Sequence, residues 1–400
     1  MTSRTAVWHA GVDRASRWAA VLLGFSIPIS VALDNLLLAL LAALFVLGGR
    51  YRDKLARIRG NPVALAAALL YAMILVGAFY GTASAAEARL YLGKYIDLLF
   101  VGVLLPVFAD PDTRRRGLLA IAAAMLVTLA ASYLGALGVL HGRPENPALV
   151  FKGQITQNLF LAVFAFALLV YAQHRSDRRM RWLLRAVAFI AVADVMFLGR
   201  GRTGYMAVIV LALYLFFVLA RWRGVLAVAL AALAIGAFSA VVPNSLSARI
   251  GQAVSEVRQW QPGGQATTSM GIRLDFYYNS LAIFRAHPLL GVGTGGFEAA
   301  YAHADKDKNA GPVPNPHDEY FLVMGQQGLV GLALLVALFV TQWRSAPRLG
   351  DRGAALVARG LVLAMASGCL FNSFLLDHTE GLAFAWMSAL LFSGLPPNRK

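Results

Sequence analysis

Apolar stretches recur along the whole chain with short polar breaks between them, and a stretch of about 20 such residues is long enough to cross a bilayer. The pattern predicts twelve spans, at 15–31, 35–48, 62–80, 86–108, 117–139, 156–173, 183–199, 203–220, 224–242, 319–342, 354–376 and 379–394. One segment, 243–318, interrupts the rhythm. In "NSLSARIGQAVSEVRQW" Leu246, Ile250, Val254 and Val257 recur at helical spacing. In "GIRLDFYYNSLAIFRAHP" Ile272, Phe276, Ile283 and Phe284 do so, leaving Arg273 and Asp275 on other faces. Two amphipathic helices joined by the turn "QPGGQATTS" are expected there, lying on a membrane surface as a roof. The expected fold is an all-α polytopic membrane protein with one large helical loop: spans one to nine in 1–242, the loop in 243–318, and spans ten to twelve in 319–400.

Composition agrees. Apolar residues make up 59% and charged residues 14%, against about 25% charged in a soluble domain. The single cysteine, Cys369, excludes an internal disulfide. The N-terminal "MTSRTAVWHAGVDRASRW" is basic, runs into an apolar stretch and shows no small-residue cleavage site, which predicts a signal-anchor first helix.

A net charge of +16 would suit nucleic acid, but its placement argues for topology. With the N-terminus in the cytoplasm, 23 of the 36 Lys and Arg residues fall in the inside segments beside only six acids. That is the positive-inside rule, met loop after loop. The segment 243–318, with six basic and six acidic residues, then lies outside, which in a bacterium is the periplasm. No nucleic-acid partner is expected.

Basic residues on the outer side run against that rule and so carry information. Arg200 and Arg202 lie in "LGRGRTGYM", between spans seven and eight; Arg273 opens the second loop helix; Lys152 precedes span six in "FKGQITQNLF". A guanidinium offers phosphate two parallel charged hydrogen bonds. The plainer alternative is snorkelling to lipid headgroups. Lys94 has Asp97 one turn away, which predicts an ion pair, and Asp194 is an intramembrane acid without an assigned role. "GVGTGGF" at 291–297 matches a dinucleotide fingerprint in letters only, since no strand precedes it; a tight glycine loop is expected instead.

His317 stands in "NPHDEY", which predicts a helix start with Asn315 as N-cap and Pro316 in the first turn. The helix terminus favours neutral imidazole and the neighbouring carboxylates favour imidazolium, so a pKa near the ordinary value, between roughly 6 and 7, is expected. A lone histidine is most often structural. No His/Cys/Asp cluster has metal-ligand spacing, so no metal and no cofactor are expected.

Taken together, "GRTGY", "GIRLDFYYNSLAIFRAHPLLGVGTGGFEAAY" and "PHDEYFLVMGQQGLVGLALL" resemble the core of the O-antigen ligase and O-antigen polymerase superfamily, and "FKGQITQN" is similar to its preceding segment. The resemblance covers about 151–335. Asp318 departs from it, where many relatives have Asn. It implies a fold like the polyprenol-dependent C-type glycosyltransferases. It implies metal-independent, inverting transfer of a glycan from undecaprenyl diphosphate to an acceptor hydroxyl at the periplasmic face of the inner membrane. His317 would match the essential histidine, and Arg202 and Arg273 the diphosphate-binding arginines, with Arg200 and Lys152 as further candidates. Length and a single mid-sized loop suit the ligase, whose acceptor is the lipid A–core oligosaccharide. An O-antigen polymerase or a protein O-oligosaccharyltransferase is the alternative within the superfamily. A lipid-linked oligosaccharide flippase is the alternative outside it, and would spread polar residues through the bilayer midplane.

Overall fold

The computed structural model describes residues 3–199, 201–241, 245–261, 268–305 and 313–396. Helices dominate, and among the described residues no strand forms beyond one isolated bridge, Arg143–Asn146. The first half of the chain supplies α1 (Ser3–Ser26), α2 (Val31–Leu47), α3 (Tyr51–Arg59), α4 (Pro62–Tyr80), α5 (Ala85–Tyr95), α6 (Asp97–Leu104), α7 (Pro111–Ala136) and α8 (Gln154–Gln173). There follow α9 (Arg178–Ala193), α10 (Arg202–Val241), α11 (Ser245–Gln259), α12 (Ser269–Ala286) and α13 (Phe297–Ala304). The chain closes with α14 (Glu319–Ser345), α15 (Arg352–Gly368) and α16 (His378–Phe392). Polar side chains start many of these helices. Asn61, Asp110, Asp177 and Asp351 accept from first-turn amides, and Ser84 with Glu87 forms a reciprocal capping box.

Six helical stretches are long and apolar enough to cross a membrane: 62–80, 111–136, 154–173, 178–199, 202–224 and 319–348. The pair α2–α3, bent by 115°, is a seventh candidate. Large apolar side chains such as Phe79, Phe189, Phe197 and Trp222 stand exposed on these helices, as lipid-facing positions should. The chain is consistent with a polytopic membrane protein, while the figure of twelve stays an expectation. The expected span 86–108 is split at Ile96 into α5 and α6, and the span expected to reach residue 376 ends at Gly368. Between spans eight and nine the break falls where expected, at Arg221 with φ of 54°.

The shortest of the expected closing spans, α16, is the centre of the bundle. Every residue from Thr379 to Phe392 is buried. Trp386 shows why: its ring lies against Gly24 and stacks edge-on to Phe108, and its Nε1 donates to the Ala20 carbonyl. A second core joins α7, α8 and α9 through Met125, Leu129, Leu161 and Phe164.

Helix α14 was expected to run unbroken. It is interrupted at Gly328, whose φ of 61° and ψ of −155° are open to glycine. Backbone groups freed in a membrane helix need partners, and the glycine loop provides them. Val292 and Gly293 donate to the carbonyls of Gly325 and Gln326, and Leu329 donates to Pro288. A side chain on Gly293, φ 83°, would come within 2.1 Å of Gly81, the residue that ends α4. The 291–297 motif is therefore a backbone plug that ties α4 to the break in α14 and seats α12 above it.

Candidate active site at the head of helix α14

Arg273, Phe276 and Tyr277 share a face of α12, being three and four residues apart. Tyr277 stacks on Phe321 of α14 with centroids 4.9 Å apart, and its hydroxyl donates to the Leu370 carbonyl. Phe276 lies 6.1 Å from the ring of His317. The covered face of α12 keeps Ile283 of the expected set and adds Asn279 and Ser280, while Ile272 is exposed. On α11, Val254 and Val257 are exposed, and Leu246 and Ile250 lie outside the described side chains. What ties α11 to α12 is Glu256, which accepts from the Met270 amide.

His317 precedes the helix instead of sitting in its first turn. The N-cap is Asp318, whose carboxylate accepts from Phe321 N at 3.0 Å. Asn315 accepts from the His317 amide at 2.8 Å and from Ser373 Oγ at 2.7 Å. Between these anchors His317 takes φ of 53°. That left-handed conformation is sparsely used by residues other than glycine and tends to mark functional sites.

The electrostatics also differ from the expected balance. Asp318 is turned into the cap, and Glu319 is buried, accepting from Tyr95 Oη and from the amides of Leu375 and Leu376. Neither acid sets the charge state of the imidazole. Although His317 keeps an exposed edge, crowding around the ring disfavours the imidazolium, the Arg273 guanidinium adds to that, and Asp377 opposes it. The pKa of His317 is moved down from its ordinary value.

Burial pushes the Asp318 carboxyl up to about 6, against the pull of the Phe321 and Tyr320 amides. Its ionised form is thus costly at neutral pH, while its capping role needs only a side-chain oxygen. Asn caps helices as well as Asp does, so Asp318→Asn is expected to keep full activity and to melt no lower than the parent at pH 7.5. Asp318→Ala leaves the first turn uncapped and is expected to lose about 1 kcal/mol, read from thermal unfolding.

The turn Cys369–Asp377, expected as the end of a span, holds the site together. Asn372 Nδ2 donates to Thr203 Oγ1 at 3.2 Å, placing the start of α10 and its Arg202 beside the turn whose Ser373 holds Asn315. Arg202 is exposed and Arg273 half-buried; among the described residues no carboxylate pairs with either. The hairpin before Arg202 bends around Asn158, which packs against Gly199, Gly201 and Gly204. Arg200 lies outside the described residues. Asn372, Ser373 and Asp377 were not read as site residues. The polar interruptions in "FNSFLLDHTEG" were the available signal.

Lys152 is placed differently. It is buried, its Nζ lies 3.6 Å from Asp34 Oδ2, and it donates to Thr379 Oγ1 at 3.3 Å. Its charge is committed to an internal cluster in which Thr156 also bonds Glu380. Nor does Lys94 pair with Asp97 as expected. Asp97 instead lies 2.9 Å from His378 Nδ1, and the charge of Lys94 acts on Asp377. Asp194 lies buried in a π-turn, 194–199, beside Ser132 and Gln157. Among the described residues no cluster of His, Cys, Asp and Glu could hold a metal.

Arg202, Arg273 and an imidazole moved toward its neutral form therefore stand at the starts of α10, α12 and α14, and among the described residues neither guanidinium has a carboxylate partner. The arrangement can hold an oxyanion and accept a proton. No curated protein matches the chain. A protein-family comparison matches residues 186–336 to the family described as O-antigen ligase. The matched segment contains Arg202, Arg273 and His317, and excludes Lys152. Over residues 186–336, less than half of the chain, the protein is thus similar to the O-antigen ligase family.

Proposed function

We propose that the chain is an O-antigen ligase that moves a glycan from undecaprenyl diphosphate to a sugar hydroxyl of the lipid A–core oligosaccharide, at the periplasmic face and without a metal. The observation that carries the reading is the juxtaposition of Arg273 with His317, the guanidinium unpaired and acting on an imidazole held in a left-handed turn. In this reading Arg273 and Arg202 bind the donor diphosphate, and the neutral ring of His317 takes the proton of the acceptor hydroxyl. The hydroxyl oxygen forms the new glycosidic bond as the anomeric carbon–phosphate bond breaks. The electron pair leaves with the lipid diphosphate, where the guanidiniums meet the growing charge. Attack opposite the leaving group inverts the anomeric centre. A single mid-sized loop between the spans supports the ligase reading.

The test is transfer by purified protein from undecaprenyl-diphosphate glycan to rough lipopolysaccharide in chelator. Ligated lipopolysaccharide is expected. Chain extension of the lipid-linked glycan without ligation would assign polymerase, and no covalent product would refute transfer. The sidedness is checked separately: Ser255→Cys on α11 should react with an impermeant maleimide in cells with only the outer membrane permeabilised. Labelling only after the inner membrane is breached would put α11 and the site in the cytoplasm.

A further inference from the structure

Helix α16 runs about 22 Å from His378, beside the candidate site, to Phe392, whose carbonyl accepts from Asn61 Nδ2. At this far end two clefts flank α1. One, of about 390 Å³, lies between α1 and α7 and is lined by Arg14, Arg17, Trp18 and Arg116. The other, of about 270 Å³, lies between α1 and α2–α3 and is lined by Arg17, Arg50, Lys54 and Arg57. Arg17 and Asp13 line both. Six basic side chains from α1, α7 and the α2–α3 segment thus converge, with Asp13 and Asp53 the acids on the walls.

Inside selection for positive charge explains basic residues on this side, but it does not require them to meet around a cavity. Some of the charge is used internally: Arg50 pairs with Asp13, and Arg17 lies 3.4 Å from Asp110. Arg14, Arg57 and Arg116 have no ion pair among the described residues. Apolar side chains share the walls with the charges, Ala10, Trp18 and Val21 in the first cleft and Leu41, Leu44, Phe45 and Val103 in the second. A soluble anion would not need them. The exposed indoles of Trp8 and Trp18 lie on the same helix, and Arg116 stacks 5.3 Å from the Trp18 ring. Indoles prefer the headgroup level of a bilayer, which sets the depth of these clefts.

We propose that the paired clefts bind the phosphate headgroup of an anionic membrane lipid, with an acyl chain along the apolar wall. Basic pockets between membrane helices are suited to such headgroups. The shared chemistry is a phosphate oxyanion, and the apolar wall selects the lipid over the free ion.

The full chain in neutral detergent would be titrated with cardiolipin, phosphatidylglycerol, phosphatidylcholine or inorganic diphosphate, and retained ligand read by native mass spectrometry. The two anionic lipids are expected to be retained about tenfold over phosphatidylcholine. Arg14→Gln with Arg116→Gln should lose that preference, again about tenfold. Arg178→Gln with Arg179→Gln, which removes two exposed arginines of α9, should keep it. Should the first pair fail to fold, Arg57→Gln alone should lower retention about threefold. Undiminished retention in the cleft variants overturns the proposal. So does an equal loss in the α9 variant, which would mean surface charge alone, and so does diphosphate binding without lipid retention.

Discussion

His317→Ala lowers glycan transfer by about 10²–10⁴-fold, the usual contribution of a positioned proton acceptor, while the protein inserts and melts as the parent does. The pH profile separates a base from a mere contact. The active form is the neutral ring. Its pKa lies below the ordinary 6.5 because crowding and the Arg273 charge disfavour the imidazolium. Activity should therefore rise with pH through a midpoint below that value and level off above it. Asp377 is the group that favours the imidazolium, so Asp377→Asn should move the limb further to acid. Arg273→Lys keeps the opposing charge and should leave it in place. His317→Gln can hold a hydrogen bond but cannot titrate. Its residual activity should show no limb, and near-full activity in that variant would reduce His317 to a positioning group.

Arg273→Ala and Arg202→Ala each lower transfer at least about 100-fold, the scale set by removing one donor from a developing oxyanion. Neither guanidinium has a carboxylate partner among the described residues, so its removal strands no internal charge and stability should change little. Lysine should restore activity only in part, since an ammonium cannot make the forked contact with a diphosphate. Lys152→Ala offers a contrast. It leaves Asp34 buried without its cation, so the loss should appear first in thermal stability, and activity should follow the folded fraction. Full activity of both arginine variants in the purified assay would refute the diphosphate role.

Most local structure was legible in the chain. Apolar runs marked most of the helices, and the glycines of 291–297 read as a tight loop, whereas the cap of α14 is Asp318 and not Asn315. "GRTGY", the loop helix and "PHDEY" marked Arg202, Arg273 and His317, because special residues at span ends stand out against an apolar background. The pairing of charges was not legible. Spacing put Lys94 on Asp97, yet Asp97 lies against His378, 281 residues away. Its place before a span makes Lys152 a candidate phosphate ligand, whereas the fold sets its ammonium 3.6 Å from Asp34.

Sequence alone determined that this chain is helical and apolar and where its unusual residues lie, since helix periodicity and capping are properties of neighbours. Tertiary structure decided which polar groups are spent inside the fold and which keep no charged partner among the described residues. It made short α16 the buried axis, put the glycine loop into the break of α14, and brought the turn Cys369–Asp377 between Thr203 and Asn315. The reason is that a buried donor or charge must be satisfied by whatever packing brings to it, and here those partners stand 58 to 281 residues away.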